Sequence, residues 1–184
     1  RLPNGRRGNV GSPEWREEYG LRVDRLIKVL RRKNVAVYWV GLPIMRRNDQ
    51  NDDALAMNDV VRQKAYLNGV KYIDTQAQFA DDGGNFSPFG PDLAGTNRLL
   101  READGITFTA AGNRKLAHFI EQLLGLVLGR LPIGFLGILR HGHEDVAGAA
   151  LLFRTEALDV AVVVGIQFLR RNGQANFRPG EHPP

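Results

Sequence analysis

Apolar side chains recur at spacings of three and four from Trp15 through Tyr19, Val23, Leu26 and Leu30. That spacing lines one face of a helix. Ser12 can cap the free amides, and Pro13 suits the first helical position because its missing N–H has no partner there. The pattern predicts a helix from Ser12-Pro13 to about Arg32. The period then changes. Residues 35–41, VAVYWVG, are β-branched or aromatic and apolar on both faces. They predict a strand covered on both sides, as in a parallel sheet flanked by helices. A second helix is predicted from a cap at Asp52 or Asp53 through Leu67, with Leu55, Val60, Val61 and Tyr66 among its apolar positions and Asn68-Gly69 as its stop. Residues 70–74, VKYID, predict a second strand, and the Gly-, Asp- and Pro-rich stretch 75–108 a long loop. Thr109 is the predicted cap of a third helix beginning near Ala110, with Leu116, Phe119, Ile120 and Leu123 facing inward.

Helices alternating with strands imply crossover connections, a parallel sheet and an α/β layered fold. In such folds ligands bind beyond the carboxyl ends of the strands. Two segments therefore attract attention: Leu42 to Asn48, and the loop after the second strand. Two strands are too few, because a sheet of this kind usually holds about five or six. The missing neighbours of strand 35–41 must lie in the tail or be lost from the front, leaving an open edge through which the chain could self-associate.

Composition changes along the chain. Residues 1–11 form an irregular basic arm, residues 12–122 the patterned body, and residues 123–184 an atypical tail. The tail has no Lys, six Arg and three of the four His, and is dominated by Leu, Gly, Val and Ala. That composition, beginning abruptly after Glu121-Gln122, is what a shifted reading frame in a GC-rich gene produces, so the tail is expected not to be a native continuation. Within it, 157–169 predicts one strand, and 172–184 is expected to be disordered. The run 123–139 is interrupted by Arg130 and Pro132 and is too short to span a membrane.

The whole chain is 184 residues, 43% hydrophobic and 24% charged, which excludes a wholly disordered chain. The absence of cysteine excludes a disulfide scaffold, a thiolate zinc site and a cysteine nucleophile. No signal-peptide pattern is present, and a chain beginning at Arg1 rather than Met is expected to be processed or truncated. The net charge of +5 is uneven: residues 1–47 carry twelve Lys and Arg against four Asp and Glu. Those cations are interleaved with Glu14, Glu17, Glu18 and Asp24, the pattern of a solvated helix face rather than a nucleic-acid surface.

The most informative phrase is Asp104-Gly105-Ile106-Thr107-Phe108-Thr109, followed by Gly112 and Lys115-Leu116-Ala117. Upstream stand Trp15, Tyr19, Arg22-Val23, Trp39-Val40-Gly41-Leu42-Pro43, Met45-Arg46, Tyr72-Ile73-Asp74, Gly90-Pro91-Asp92, Gly95 and Arg101. Over residues 11–122 this set resembles the carboxyl-terminal half of the SGNH (GDSL-type) hydrolase superfamily, and within it a bacterial family of unknown function. The resemblance implies a three-layer α/β/α, flavodoxin-like fold, incomplete at the amino terminus. It implies a cell-envelope or periplasmic protein, a small acyl-ester or acetylated-glycan ligand, and no cofactor. It places Asp104 in the last catalytic block, and Leu42, Pro43, Met45 and Arg46 beside the substrate.

The chain departs from that pattern twice. The Gly-Asp-Ser nucleophile block and the Gly and Asn blocks are absent; the only serines are Ser12 and Ser87. Thr107 stands where the family has its catalytic His, and a Thr hydroxyl cannot serve as a base near neutral pH. Asp104 is therefore left with no imidazole to orient, and the expected protein is an inactive fragment or degenerate relative of an ester hydrolase. Two other classes stay open: a non-catalytic glycan- or acyl-binding module, and a basic nucleic-acid-binding protein using Arg1, Arg6, Arg7, Arg31 and Arg32.

Weaker features have bland readings. His118 falls on the third helix as a partly exposed histidine. His141-Gly142-His143-Glu144-Asp145 is a polar loop rather than a metal site, because a second, separated ligand pair is lacking. Asp81-Asp82-Gly83-Gly84-Asn85 lacks the alternating acids of a calcium loop and reads as a solvated turn. Asn4-Gly5-Arg6-Arg7-Gly8 follows no strand, so it is not a nucleotide-binding glycine loop. Trp39 and Phe108 read as core.

Overall fold

The structure is a computed structural model. It describes Leu2, Gly5, residues 8–31 and 36–128, and the backbone of three further strands at 134–140, 149–154 and 159–164. Helix α1 is Pro13–Arg31, strand β1 Ala36–Val40, helix α2 Asn48–Leu67 and strand β2 Lys71–Ile73. A short 3-10 turn, Ala77–Phe79, leads to the ribbon β3 (Phe89–Pro91) and β4 (Asn97–Leu99), and helix α3 runs over Ala110–Leu128. The last strands are β5 (Gly134–Arg140), β6 (Ala149–Arg154) and β7 (Asp159–Val164).

The predicted helix caps hold at both ends of the body. The Ser12 hydroxyl accepts the Trp15 amide at 3.3 Å, and the Thr109 hydroxyl accepts the Gly112 amide at 3.2 Å. Both satisfy donors that the first helical turn leaves free. Helix α2 stops as predicted, with Gly69 at φ +64° and the Val70 amide donating back to the Ala65 carbonyl at 2.8 Å. Its start differs from the expectation. The helix opens at Asn48, a turn before Asp52, with extended Arg47 in front and no side-chain cap. Asn51 makes the earlier start workable: from inside the first turn its side-chain oxygen accepts the Met45 amide at 3.1 Å.

The buried stripe of α2 matches the predicted one in part. Val60 and Val61 are buried as expected, together with Ala54, Met57 and Ala65, whereas Leu55 and Tyr66, each about 100° from a buried alanine, are exposed. Small Ala54 and Ala65, both fully buried, allow close packing that a leucine would prevent.

Strand β1 explains its own two-faced hydrophobicity. Val37 and Trp39 pack with Val23, Ile27 and Leu30 of α1 and Val61 and Ala65 of α2. Tyr38 and Val40 turn the other way, joining Ile73 against Ile120 and Leu124 of α3. The result is an α/β domain with helices on both faces of the sheet, as expected.

The sheet order is β2-β1-β7-β6-β5. β1 runs parallel to β2 and to β7, but β6 is antiparallel to both β7 and β5. The sheet is therefore mixed, not wholly parallel. The tail's connections are short, from Arg140 to Ala149 and from Arg154 to Asp159, whereas a parallel crossover needs about a dozen residues or more. β7 falls inside the predicted tail strand; β5 and β6 were not anticipated. The expected open edge of β1 is closed here, because β7 pairs with every residue from Ala36 to Val40.

The stretch 75–108 is more ordered than a long loop. Asp92 accepts the Ala94 and Thr96 amides on one oxygen, and Gly95 at φ +78° closes the turn that pairs β3 with β4. Asp81 does the same for Gly83 and Asn85, so the Asp81 segment is a self-contained turn. Among the described residues no group of three metal-binding side chains exists, and no helix is long and apolar enough to cross a membrane.

Gly112 tests the packing of α3. Alanine there favours the helix by about 1 kcal/mol. A Cβ at this position, however, would sit 2.1 Å from the backbone oxygen of Leu100, which has no flexible end to move aside. We expect steric cost to win and Gly112→Ala to lower the melting temperature in a calorimetric scan. An unchanged or raised melting temperature would show that α3 does not dock as described.

Candidate functional site

Beyond β1 the chain forms a strap, Gly41 to Arg46, that never becomes regular. Its polar backbone is met by side chains instead. Asn58, 4% exposed on α2, uses both ends of its amide: it accepts the Leu42 amide and donates to the Leu42 carbonyl, each at 2.8 Å. Gln76 donates to the same carbonyl at 2.8 Å, and the buried Thr75 hydroxyl donates to the Gly41 carbonyl at 2.8 Å. In this way α2 and the exit of β2 fix the strap at the carboxyl end of the sheet.

The second wall is the segment Arg101 to Thr109. Arg101 is 1% exposed. Its guanidinium donates to the Ile44 carbonyl at 3.0 Å, the Gly105 carbonyl at 2.9 Å and the Ile106 carbonyl at 3.1 Å, and lies 3.4 Å from the Met45 sulfur. Its carbon sits 4.6 Å from the Phe108 ring centroid and 5.5 Å from that of Phe86. One buried cation thus joins the strap to the loop. Burial pushes the guanidinium down to about 10, with the Asp104 charge opposing the shift, so it stays charged at neutral pH.

Asp104 lies on the exposed side of the same loop. Its Oδ1 accepts the Ile106 and Thr107 amides, both at 2.8 Å, and its Oδ2 accepts the Thr107 hydroxyl at 2.6 Å. Burial acts to raise its pKa but is outweighed by the Thr107 hydroxyl, the two amides and the charge of Arg101, which together hold the carboxyl below its ordinary value. The ionised form therefore favours the folded loop. That contribution is present above the usual carboxylate range and is lost as pH falls through the lowered value. Gly105, at φ +69°, completes the turn; a Cβ there would lie 2.3 Å from the Arg46 Cβ.

Of the predicted ligand-contacting positions, Pro43 and Met45 are buried, and Met45 touches Arg101. Leu42 is half-buried and packs with Trp15, Met57 and Val60. Only Arg46 is exposed: it donates to the Ala103 carbonyl at 2.7 Å and stands over the Phe86 ring at 5.4 Å. Strap and Asp104 loop meet through Arg46, Met45 and Arg101.

The serines have structural partners. Ser12 caps α1, and the Ser87 hydroxyl donates to the Phe89 carbonyl at 2.7 Å. His118 is exposed on α3. Trp39 is core, and Phe108 packs on Phe79 with ring centroids 4.5 Å apart. Arg31 donates to the Asn68 carbonyl. Arg1, Arg6, Arg7 and Arg32, the Asn4–Gly8 loop's own Asn4, and the cluster at 141–145 lie outside the described residues.

Sequence reasoning noted Arg101 only as a motif residue and missed its role. The available signal was an arginine preceded by Leu99-Leu100 and followed closely by Asp104-Gly105, a cation in apolar company beside a turn.

Fold and site define an α/β/α domain whose candidate surface lies past the carboxyl ends of parallel strands. The chain belongs to the family described as Protein of unknown function (DUF459), whose profile matches residues 2–123. The match stops where the composition of the tail begins to differ. A search of curated proteins finds no match.

The two arginines of the site should behave differently. Removing Arg101 strands three carbonyls and leaves an apolar gap, and each buried orphan costs about 1–3 kcal/mol. Removing Arg46 frees one exposed bond, worth about 1 kcal/mol or less. In urea titrations Arg101→Met should lose several-fold more stability than Arg46→Met. Equal losses would mean that Arg101 does not hold the two segments together.

Proposed function

We propose that this chain is an SGNH-type hydrolase-fold domain whose described residues do not assemble an ester-cleaving engine. The supporting observation is the 2.6 Å contact from the Thr107 hydroxyl to Asp104 Oδ2. In a Ser-His-Asp arrangement the carboxylate receives an imidazole N–H, fixes its tautomer and stabilises the imidazolium. Here that carboxylate is committed to a hydroxyl and two amides of its own loop. The hydroxyl cannot relay a proton at neutral pH, because its own ionisation lies far above that range.

The single described histidine, His118, is on the exposed face of α3, and neither serine is paired with a base. The ligand class that the SGNH resemblance suggests, a small acyl ester or acetylated glycan, would be held rather than cleaved, with exposed Arg46 as its first polar contact. The same resemblance favours a cell-envelope setting.

The direct assay is hydrolysis of p-nitrophenyl acetate by the purified chain. The expected rate equals the buffer rate and is unchanged in Asp104→Ala. Turnover well above buffer that disappears in Asp104→Ala would overturn the proposal.

A further inference from the structure

Arg46 is exposed, yet its side chain is fixed. Holding so long a side chain in one geometry costs rotamer entropy, which solvated arginines normally keep. Three neighbours hold this one. Its Nη1 donates to the Ala103 carbonyl at 2.7 Å, and its guanidinium carbon stands 5.4 Å from the centre of the Phe86 ring. Gly105 leaves it room: a Cβ there would crowd the Arg46 Cβ and lie 3.3 Å from the Arg46 Nε.

The fixed cation has no carboxylate of its own. Arg47, Arg62 and Arg98, exposed like it, face Asp49, Asp74 and Asp92. Arg46 forms no ion pair among the described residues. Asp104, next to Ala103, is the nearest candidate in sequence. Both of its oxygens are taken by its own turn, and the cation that lowers its pKa is Arg101. Arg46 is therefore anchored through Nη1 and one ring face, while its Nε–Nη2 edge bonds to nothing among the described residues. Two parallel N–H groups in one plane match two oxygens of an anion, and such charge-assisted pairs are strong.

We propose that Arg46 is an anion-binding residue, whose Nε–Nη2 edge receives two oxygens of a carboxylate or phosphate group carried by the ligand of this site. The inference rests on the reading above of a site that holds its ligand without cleaving it, and adds that the ligand is an anion.

The test follows the arginine Nε–H signals and the Ala103 and Gly105 amides of the full chain by NMR. Sodium glucuronate, inorganic phosphate or glucose is added at constant ionic strength, which removes simple screening as a cause. The Arg46 signal, identified by its loss in Arg46→Gln, should move saturably with at least one anion and stay still with glucose. Whichever anion saturates at the lower concentration names the group that the fork takes. Arg46→Gln and Arg46→Lys should each weaken binding, read at the two amides, by about tenfold or more; lysine keeps the charge but loses the planar fork. Parental affinity in Arg46→Lys would overturn the proposal, as would an equal response to glucose or an Arg46 signal that neither anion moves. The readout does not depend on ester turnover. Hydrolysis of p-nitrophenyl acetate that disappears in Asp104→Ala would sink the hydrolase-fold reading and leave anion binding standing, whereas a silent Arg46 signal would sink this inference with the ester rate still at the buffer value.

Discussion

A guanidinium with almost no access to water holds the candidate site together. Burying a charge is expensive, and isolated ions are rarely found in such places. Arg101 is tolerated because its donors reach three carbonyls from two segments and its flat faces meet Phe86 and Phe108. A lysine could offer three donors but no planar fork to bridge carbonyls on both sides. Arg101 thereby makes neighbours of the loop that carries Asp104 and the strap that carries Arg46, and the Arg46 bond to the Ala103 carbonyl adds a second, exposed link. Gly105 tightens the same joint, since a side chain there would collide with Arg46.

That joint determines what Asp104 can do. Its carboxylate accepts three hydrogen bonds from within its own turn and sits near a buried positive charge. A carboxylate so placed is kept ionised, which makes it a weak base and a good structural anchor. Thr107 is a stabilising partner for Asp104: its hydroxyl closes the turn on the carboxylate.

The sequence made visible whatever depended on local periodicity and caps. The α1 stripe, the Thr109 cap and the two-faced apolar run of β1 follow from side-chain spacing alone. The start of α2 was hidden because Asn51, not a residue ahead of the helix, settles the preceding backbone by accepting the Met45 amide, a bond that no cap pattern encodes. The α2 stripe was legible at Val60 and Val61 but not at Leu55 and Tyr66, which are large and apolar yet exposed, while two alanines are fully buried. The ribbon in 75–108 was missed because each of its strands has only three residues, too few to show alternation. The depth of Pro43 and Met45 was not legible, since it is set by a strap whose Gly41 and Leu42 backbone is held by Asn58, Thr75 and Gln76, side chains distant in sequence. Arg101 was hidden for the reason it matters: an arginine is read as surface, and only the folded chain reveals carbonyls converging on it.

The site's chemistry depends on the state of one carboxyl group. The most direct measurement is an NMR titration of Asp104, following its side-chain carbon in the parent chain and in Thr107→Val. The account predicts a midpoint below that of an ordinary aspartate in the parent, moving upward when the hydroxyl is removed. A midpoint at or above the ordinary value, indifferent to Thr107, would contradict it.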